Sequence, residues 1–261
     1  MARIYPICSS SSGNCTFIGT RGNGILVDVG CSHKMLKSSL ALIDTDISGI
    51  EAIFITHEHI DHIKGLEQII KHTKIPVFSS AGTISYLKNK IPTENRFYDI
   101  TRENYVSAGF EVSSFRTSHD AAESVGYKVK YHGASFAVCT DTGTVTEEAK
   151  AALRGCETVL LESNYDVEML RKNPKYHAEL KRRILGDRGH LSNNECAEFA
   201  AELVRNGTSH IVLGHLSREN NTPSTAYSCT RDRLKTQGLL VERDYTLNVA
   251  PVNTEGEYIS V

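Results

Sequence analysis

The sequence predicts an α/β (α+β) fold in which β-sheets are covered by helices. Three observations predict it: short β-type runs recur along the whole chain, helical segments fall between groups of them, and one pair of runs is joined as a hairpin. Hairpins mixed with interposed helices are what sheets with helical faces require. The β runs are residues 24–29, 52–56, 75–79, 111–117, 125–131, 135–140, 158–162, 210–213 and 246–249. They are rich in Val, Ile, Phe and Tyr, which suit a pleated and largely buried surface. His132-Gly133 lies between two of the runs and reads as a hairpin turn.

Helical signals appear at 63–72, 144–154, 167–185 and 193–205. The last is the clearest. Ser192 followed by Glu195 is a capping box, and Leu191 with Cys196 has the spacing of a hydrophobic staple. Apolar Cys196, Phe199, Ala200, Leu203 and Val204 recur at helical spacing, and Asn206-Gly207 ends the segment.

The chain has 261 residues, of which 40% are apolar and 23% charged, an ordinary globular mixture. With a net charge of −2 it is no polycation, so affinity for nucleic acid has to come from a local patch. Seven cysteines, an odd number with no C-x-x-C pair, lie mostly in apolar runs and read as buried thiols in a reducing compartment. The N-terminus lacks the pattern of a signal peptide, and no apolar run approaches the roughly 20 residues of a membrane helix. The expected location is the cytoplasm.

Six β runs deliver an acidic residue or a histidine at or just past their C-terminal ends: Asp28, His57, His119, Asp141, Glu162 and His215. Any one of these could be a surface group closing a strand. Six together imply convergence on one sheet edge, where binding groups usually sit. The densest cluster is His57-Glu58-His59-Ile60-Asp61-His62. Three imidazoles and a carboxylate in this stretch suit Zn, Mn or Fe. His57 and His59 can face one ion, and Asp61 with His62 another. Three buried neutral histidines and an acid would be costly without such a partner.

His57-x-His59-x-Asp61-His62 resembles the signature of the metallo-β-lactamase superfamily. The rest of that pattern follows in order: Asp28, His119, Asp141-Thr142-Gly143 and Gly214-His215. The resemblance implies a four-layer αββα metallo-β-lactamase sandwich forming a single domain over 1–261. It also implies two divalent metal ions, Zn or Mn, with Fe as a further option. His57, His59 and His119 would hold one ion and Asp61, His62 and His215 the other. Asp141 would bridge them, and Asp28 would orient a ligand imidazole. Such a pair binds a hydroxide at neutral pH and stabilises the oxygens of an in-line displacement. The second-metal set lacks the Cys usual in true β-lactamases, which favours phosphodiesterases and thioesterases.

Gly189-His190-Leu191-Ser192 resembles an element of the RNase Z branch whose His donates a proton to the leaving oxygen. Glu162 matches an acidic residue there and could orient His190. The implied catalytic residues are His190, Glu162 and Asp61; His190 could instead be part of a helix start. The run from Cys8 to Asn14, the segment Gly-His-Leu-Ser-Asn at 189–193 and the run from His215 to Pro223 resemble the YycJ (WalJ) group of bacterial metallo-β-lactamase-fold proteins. That resemblance implies a 5′→3′ exonuclease on double-stranded DNA with a link to repair. Ser11, Asn14, Ser192, Asn220 and Asn221 would then contact substrate. Arg171, Lys172, Lys175, Lys181, Arg182, Arg183 and Arg188 lead to His190 and could neutralise phosphates, Arg182 and Arg183 above all. A solvated helix face is an equally good reading of that stretch. The spacing from Asp141 to His215 leaves no room for the inserted domain of the RNase J type, and there is no long arm of the tRNA-processing type.

DNA is thus favoured over RNA as partner, with no membrane partner and no reading of oligomeric state. The alternatives are an RNase Z-like hydrolase of RNA or a small phosphodiester, a glyoxalase-II-like thioesterase, and a binding protein that has lost catalysis. The full ligand set argues against the last.

Overall fold

A computed structural model of the chain describes residues 2–91 and 96–252. The ends of the expected 1–261 domain therefore lie outside the described residues. The first sheet contains β1 (Arg3–Ser10), β2 (Gly13–Thr20), β3 (Asn23–Val27), β4 (Ile50–Phe54), β5 (Val77–Ser79) and β6 (Phe97–Asp99), side by side in that order. The second contains β7 (Tyr105–Ser107), β8 (Phe110–Arg116), β9 (Val125–Tyr131), β10 (Ala134–Cys139), β11 (Thr158–Glu162), β12 (His210–Gly214) and β13 (Thr246–Val249), from one edge to the other. Each sheet is antiparallel in its first strands and parallel in its last.

The helices are α1 (His33–Leu42), α2 (Ile60–Ile63), α3 (Leu66–His72), α4 (Ala81–Lys90), α5 (Glu147–Leu153), α6 (Val167–Lys172), α7 (Ala178–Leu185), α8 (Asn193–Arg205) and α9 (Pro223–Thr236). Ile18, Val27, Phe54, Val112, Tyr127, Phe136 and Val138 fill the space between the sheets. Leu36, Leu40, Ile69, Ile84 and Leu87 cover the outer face of the first sheet, and Leu153, Phe199, Leu203 and Leu234 that of the second. Two mixed sheets with helices on both outsides give the layer order helix–sheet–sheet–helix. No helix among the described residues is long and apolar enough to cross a membrane.

The differences from the sequence reading have local causes. The segment 167–185 is two helices. Pro174 supplies no N–H and forces Asn173 out of the α region (ψ 114), and the His177 side chain then caps α7 by accepting from Leu180 N at 3.2 Å. The segment 63–72 breaks at Gly65, where a Cβ would lie 2.2 Å from the Cys31 carbonyl. The run from Cys8 to Asn14 is the tip of the β1–β2 hairpin. Pro6 is tolerated because β1 is an edge strand with a bulge beside it. His132 (φ 49) and Gly133 (φ 84) form the expected hairpin turn, with both residues in the left-handed region. All seven cysteines are free thiols, and only Cys229 is not buried.

Candidate metal centre

β3 and β4 run parallel in the first sheet, and β10, β11 and β12 run parallel in the second. β8 is antiparallel to β9, which is antiparallel to β10, so β8 also ends at that edge. Asp28, His57, His119, Asp141, Glu162 and His215 therefore emerge where the two sheets meet. Asp28, Asp141 and His215 hold φ values of 60, 55 and 54. Such conformations are costly for residues other than glycine and persist where surrounding structure enforces them. Here they turn the chain sharply at three strand ends.

The ligand atoms form overlapping groups, each spanning no more than 4.8 Å. One contains His57, His59 and His119, another Asp61, His62 and His215, and a third His57, His62 and Asp141. His215 Nε2 lies 3.4 Å from Asp61 Oδ2 and 3.3 Å from Asp141 Oδ1, and His62 Nε2 lies 3.2 Å from Asp141 Oδ2. His119 Nε2 is 3.3 Å from His59 Nδ1 and 3.7 Å from Asp141 Oδ1. Asp141 thus touches both triads. His57 Nε2 and Asp141 Oδ2 are buried without a hydrogen-bond partner among the described residues. Orphaned buried polar atoms are rare; these two lie within a nitrogen- and carboxylate-rich donor set, so divalent cations fit the residues present.

Most ligand histidines are oriented from behind. His62 Nδ1 donates to Asp28 Oδ2 at 2.8 Å, and His119 Nδ1 to the Gly189 carbonyl at 2.9 Å. His215 Nδ1 lies 3.1 Å from Glu162 Oε1, and His57 Nδ1 lies 3.1 Å from Thr56 Oγ1. An Nδ1–H held this way leaves Nε2 with its lone pair facing the cluster. Burial pushes His57 and His119 below their usual range. It would do the same to His62 and His215, but Asp141 and the other carboxylates beside them hold both higher, His215 at about 10. At pH 7 these two imidazoles therefore carry protons that a cation must displace. Metal uptake should release about two protons, and apparent affinity should rise about tenfold per pH unit for each, weakening as pH falls. Calorimetry in buffers of different ionisation enthalpy measures this, and uptake without proton release would contradict it.

Asp28 is the anchor of this arrangement. It accepts from Thr56 N at 2.8 Å, from Thr56 Oγ1 and from His62 Nδ1. Asparagine tolerates the left-handed backbone at this position, so Asp28→Asn removes the charge without adding strain. Loss of such a partner typically costs 10–100-fold in metal affinity. Chelator competition should show about that loss, and unchanged affinity would remove Asp28 from the role.

The other expected residues divide clearly. His190 lies between two ligands, with ring centroids 5.0 Å from His119 and 5.2 Å from His215. Its Nδ1 is 2.7 Å from Glu162 Oε1, so the expected pair is in contact. Asn14 also joins the site, its amide 3.2 Å from His62 Nε2 and 3.4 Å from Asp61 Oδ2. Ser11 is exposed at the hairpin tip. Ser192, Asn220 and Asn221, expected to contact substrate, are buried and hydrogen-bonded within the protein. Ser192 caps α8, Asn220 Oδ1 accepts from Asn173, and Asn221 is bonded to Ser163, Asn164, Asn193 and Thr222. The basic stretch is also partly occupied. Arg183 pairs with Asp120, Arg188 donates to the His119 carbonyl, and Lys175 pairs with Glu219. Arg182 is exposed, with no ion pair among the described residues.

Sequence reasoning missed Thr56, Asn164, Gly189 and Asp120. Asn164 lies 3.0 Å from His215 Nδ1 and donates to its carbonyl at 2.8 Å. Gly30 was also missed. A Cβ there would lie 1.6 Å from the Asp61 carbonyl, so only glycine lets the Asp61 segment approach. A signal existed for Gly30, which immediately follows the β3 end carrying Asp28. The Gly189 carbonyl carried none.

A family model described as a beta-lactamase superfamily domain matches residues 23–216. The chain is 35% identical over 245 residues to a protein named exodeoxyribonuclease YycJ from Bacillus anthracis, covering 93% of this chain and 92% of that one. It is 34% identical over 244 residues to exodeoxyribonuclease WalJ of Streptococcus pneumoniae strain D39, covering 92% and 90%. The crystal structure of zinc-bound PqqB from Methylobacterium extorquens matches the fold with a TM-score of 0.71 at 15% identity, over 99% of this chain and 100% of that one. With two sheets meeting at a buried cluster of histidines and aspartates, a family model over residues 23–216, and 34–35% identity to YycJ and WalJ over more than nine-tenths of its length, this chain belongs to the metallo-β-lactamase superfamily and is a metal-dependent hydrolase.

Proposed function

We propose that the protein is a dinuclear metal-dependent phosphodiesterase that acts as an exonuclease on DNA. The 5′→3′ polarity on double-stranded DNA follows the group resemblance. The observation that carries the reading is the His190–Glu162 pair beside a complete ligand set. A thioesterase sharing the metal set has no need of that pair, and the relatives aligned over nine-tenths of the chain are named exodeoxyribonucleases.

His57, His59 and His119 would hold one cation, and Asp61, His62 and His215 the other, with Asp141 between them. Bound there, the cations supply positive charge for the phosphoryl oxygens and acidify the attacking water. The protein's own residues do the rest. Glu162, fully buried, holds His190 through Nδ1 and accepts from Thr142 N at 2.8 Å. The His190 beside it draws the Glu162 carboxyl below its usual range against the effect of burial, so Glu162 stays ionised as the acceptor facing His190 Nδ1. His190 Nε2 makes no hydrogen bond among the described residues, and the side chain is 18% exposed. It is the proton donor for the departing sugar oxygen. The Gly189 carbonyl ties this loop to His119, so the donor is fixed relative to the cations.

Arg182 supplies phosphate contact from α7. Arg182→Glu should weaken DNA binding and lower the magnitude of the salt slope by about one, since one contact releases about one counterion. Binding measured across a salt series checks this, and an unchanged slope takes α7 off the DNA path. Arg183 is a poorer probe because its loss frees the Asp120 charge beside His119. The activity itself is tested by a panel of linear DNA, RNA and thioester with metal-loaded protein. Degradation of DNA from an end supports the reading, and turnover of the thioester alone overturns it.

A further inference from the structure

The β1–β2 hairpin and the approach to α1 bring three cysteines into one buried cluster. Cys8 and Cys15 are partners in the hairpin register, and Cys31, one residue before the Ser32 cap, packs into the same buried cluster. A cavity of about 250 Å³ is lined by Cys8 and Cys31, with Ser12, Lys64 and Arg218, whereas Cys15 is not part of its lining. Each thiol is the chain neighbour of a residue that supports the metal centre. Cys8 precedes Ser9, whose hydroxyl accepts from His215 N at 2.8 Å. Cys15 follows Asn14, and Cys31 follows Gly30, which lies against the Asp61 carbonyl. Hydrogen bonds from Cys15 and Cys8 lower the Cys31 thiol to about 4 against the effect of burial, and the Lys64 cation acts in the same direction. Hydrogen bonding to Cys31, with burial, raises Cys8 and Cys15, and burial raises Cys139, Cys196 and Cys229, so Cys31 alone of these six is lowered. A thiolate stabilised this way, beside a second thiol, is the setting of oxidation-sensitive cysteines.

We propose that Cys31 and Cys8 form a peroxide-oxidisable thiol pair whose disulfide disables the metal centre. The Cys31 thiolate attacks one oxygen of hydrogen peroxide, the O–O bond breaks and hydroxide leaves, giving a sulfenic acid. Cys8 sulfur then attacks Cys31 sulfur. The S–S bond forms, the S–O bond breaks, and the hydroxyl leaves as water with the Cys8 proton. The earlier hydroxide takes the proton that Cys31 gave up. Two thiols lose two electrons and one peroxide becomes two waters. A disulfide holds its sulfurs at about 2.05 Å, so β1 and the approach to α1 must close up. Ser9 and Gly30 move with them, and the support of His215 and Asp61 is lost.

The inference rests on the metal centre assigned above, but its thiol readout needs no substrate. Metal-loaded protein is treated with limiting hydrogen peroxide, alkylated and mapped by peptide mass. The Cys8–Cys31 disulfide should form before Cys229 is oxidised, although Cys229 is the most exposed thiol. Metal affinity should fall at least about tenfold in step with the disulfide and return on reduction. Cys8→Ser should leave a Cys31 sulfenic acid that dimedone traps, whereas Cys229→Ser should behave as the unaltered protein. Oxidation of Cys229 with Cys31 still reduced would overturn the proposal. So would complete disulfide formation with metal affinity unchanged.

Discussion

Replacing Asp141 by Asn should lower hydrolysis by at least about 10³-fold and remove about one equivalent of bound metal. Losing a charge that helps hold both cations forfeits several kcal/mol of transition-state stabilisation, at about 1.4 kcal/mol per tenfold. The carboxylate is 2% exposed and lies within 3.3 Å of His215 and 3.2 Å of His62 through different oxygens. Despite its burial, the surrounding imidazoles, His215 and His62 foremost, hold Asp141 well below the usual carboxylate range, so the group is an anion. Its φ of 55 makes the choice of substitution matter. Alanine would add backbone strain to the loss of charge, whereas asparagine accepts the left-handed region. Elemental analysis with rates on a small chromogenic phosphodiester reads both effects. Activity within tenfold of the unaltered protein would show that Asp141 does not join the two ligand sets.

His190→Ala should keep the metals and the fold yet lose about 10²–10⁴ in rate on DNA, the usual worth of general acid–base assistance. Fold retention is expected because Ser192 and Glu195 form the α8 cap without His190. The loss should shrink on a nitrophenyl phosphodiester, whose leaving group needs no proton. Glu162→Gln should follow the same order, complicated by the second contact of Glu162 with His215 Nδ1 at 3.1 Å. Metal loss in the His190 variant would make His190 a ligand, which its membership of a group with Asp141, Glu162 and His215 makes a real contest. Equal impairment on DNA and the activated ester would end the proton-donor role.

The convergence of the histidines and aspartates was legible because their chemistry is carried by side-chain type at strand ends. Histidine and aspartate have few cheaper uses in such positions. Residues that work through backbone were not legible. The Gly189 carbonyl orients His119 and leaves no mark in composition, whereas Gly30, which makes room for the Asp61 carbonyl, is marked only by its place two residues past Asp28. An asparagine in the sequence does not say where its amide will bond. Asn220 and Asn221 look like surface recognition groups, but their amides knit the loop before α9 to the segment after β11. The N-terminal strands were hidden by Pro6 and the serine run, which argue for loop until the edge position and bulge of β1 are known. The start of α9 was marked by Thr222 and Pro223, a cap followed by proline at the first helical position. The sequence reading places no helix after them.

The most direct test of the central claim is the fate of linear duplex DNA carrying a label at either the 5′ or the 3′ end, incubated with metal-saturated protein. The 5′ label should be released first as a small product, and chelation should stop the reaction. Intact DNA at every metal tested, alongside hydrolysis of a small phosphodiester or thioester, would contradict it.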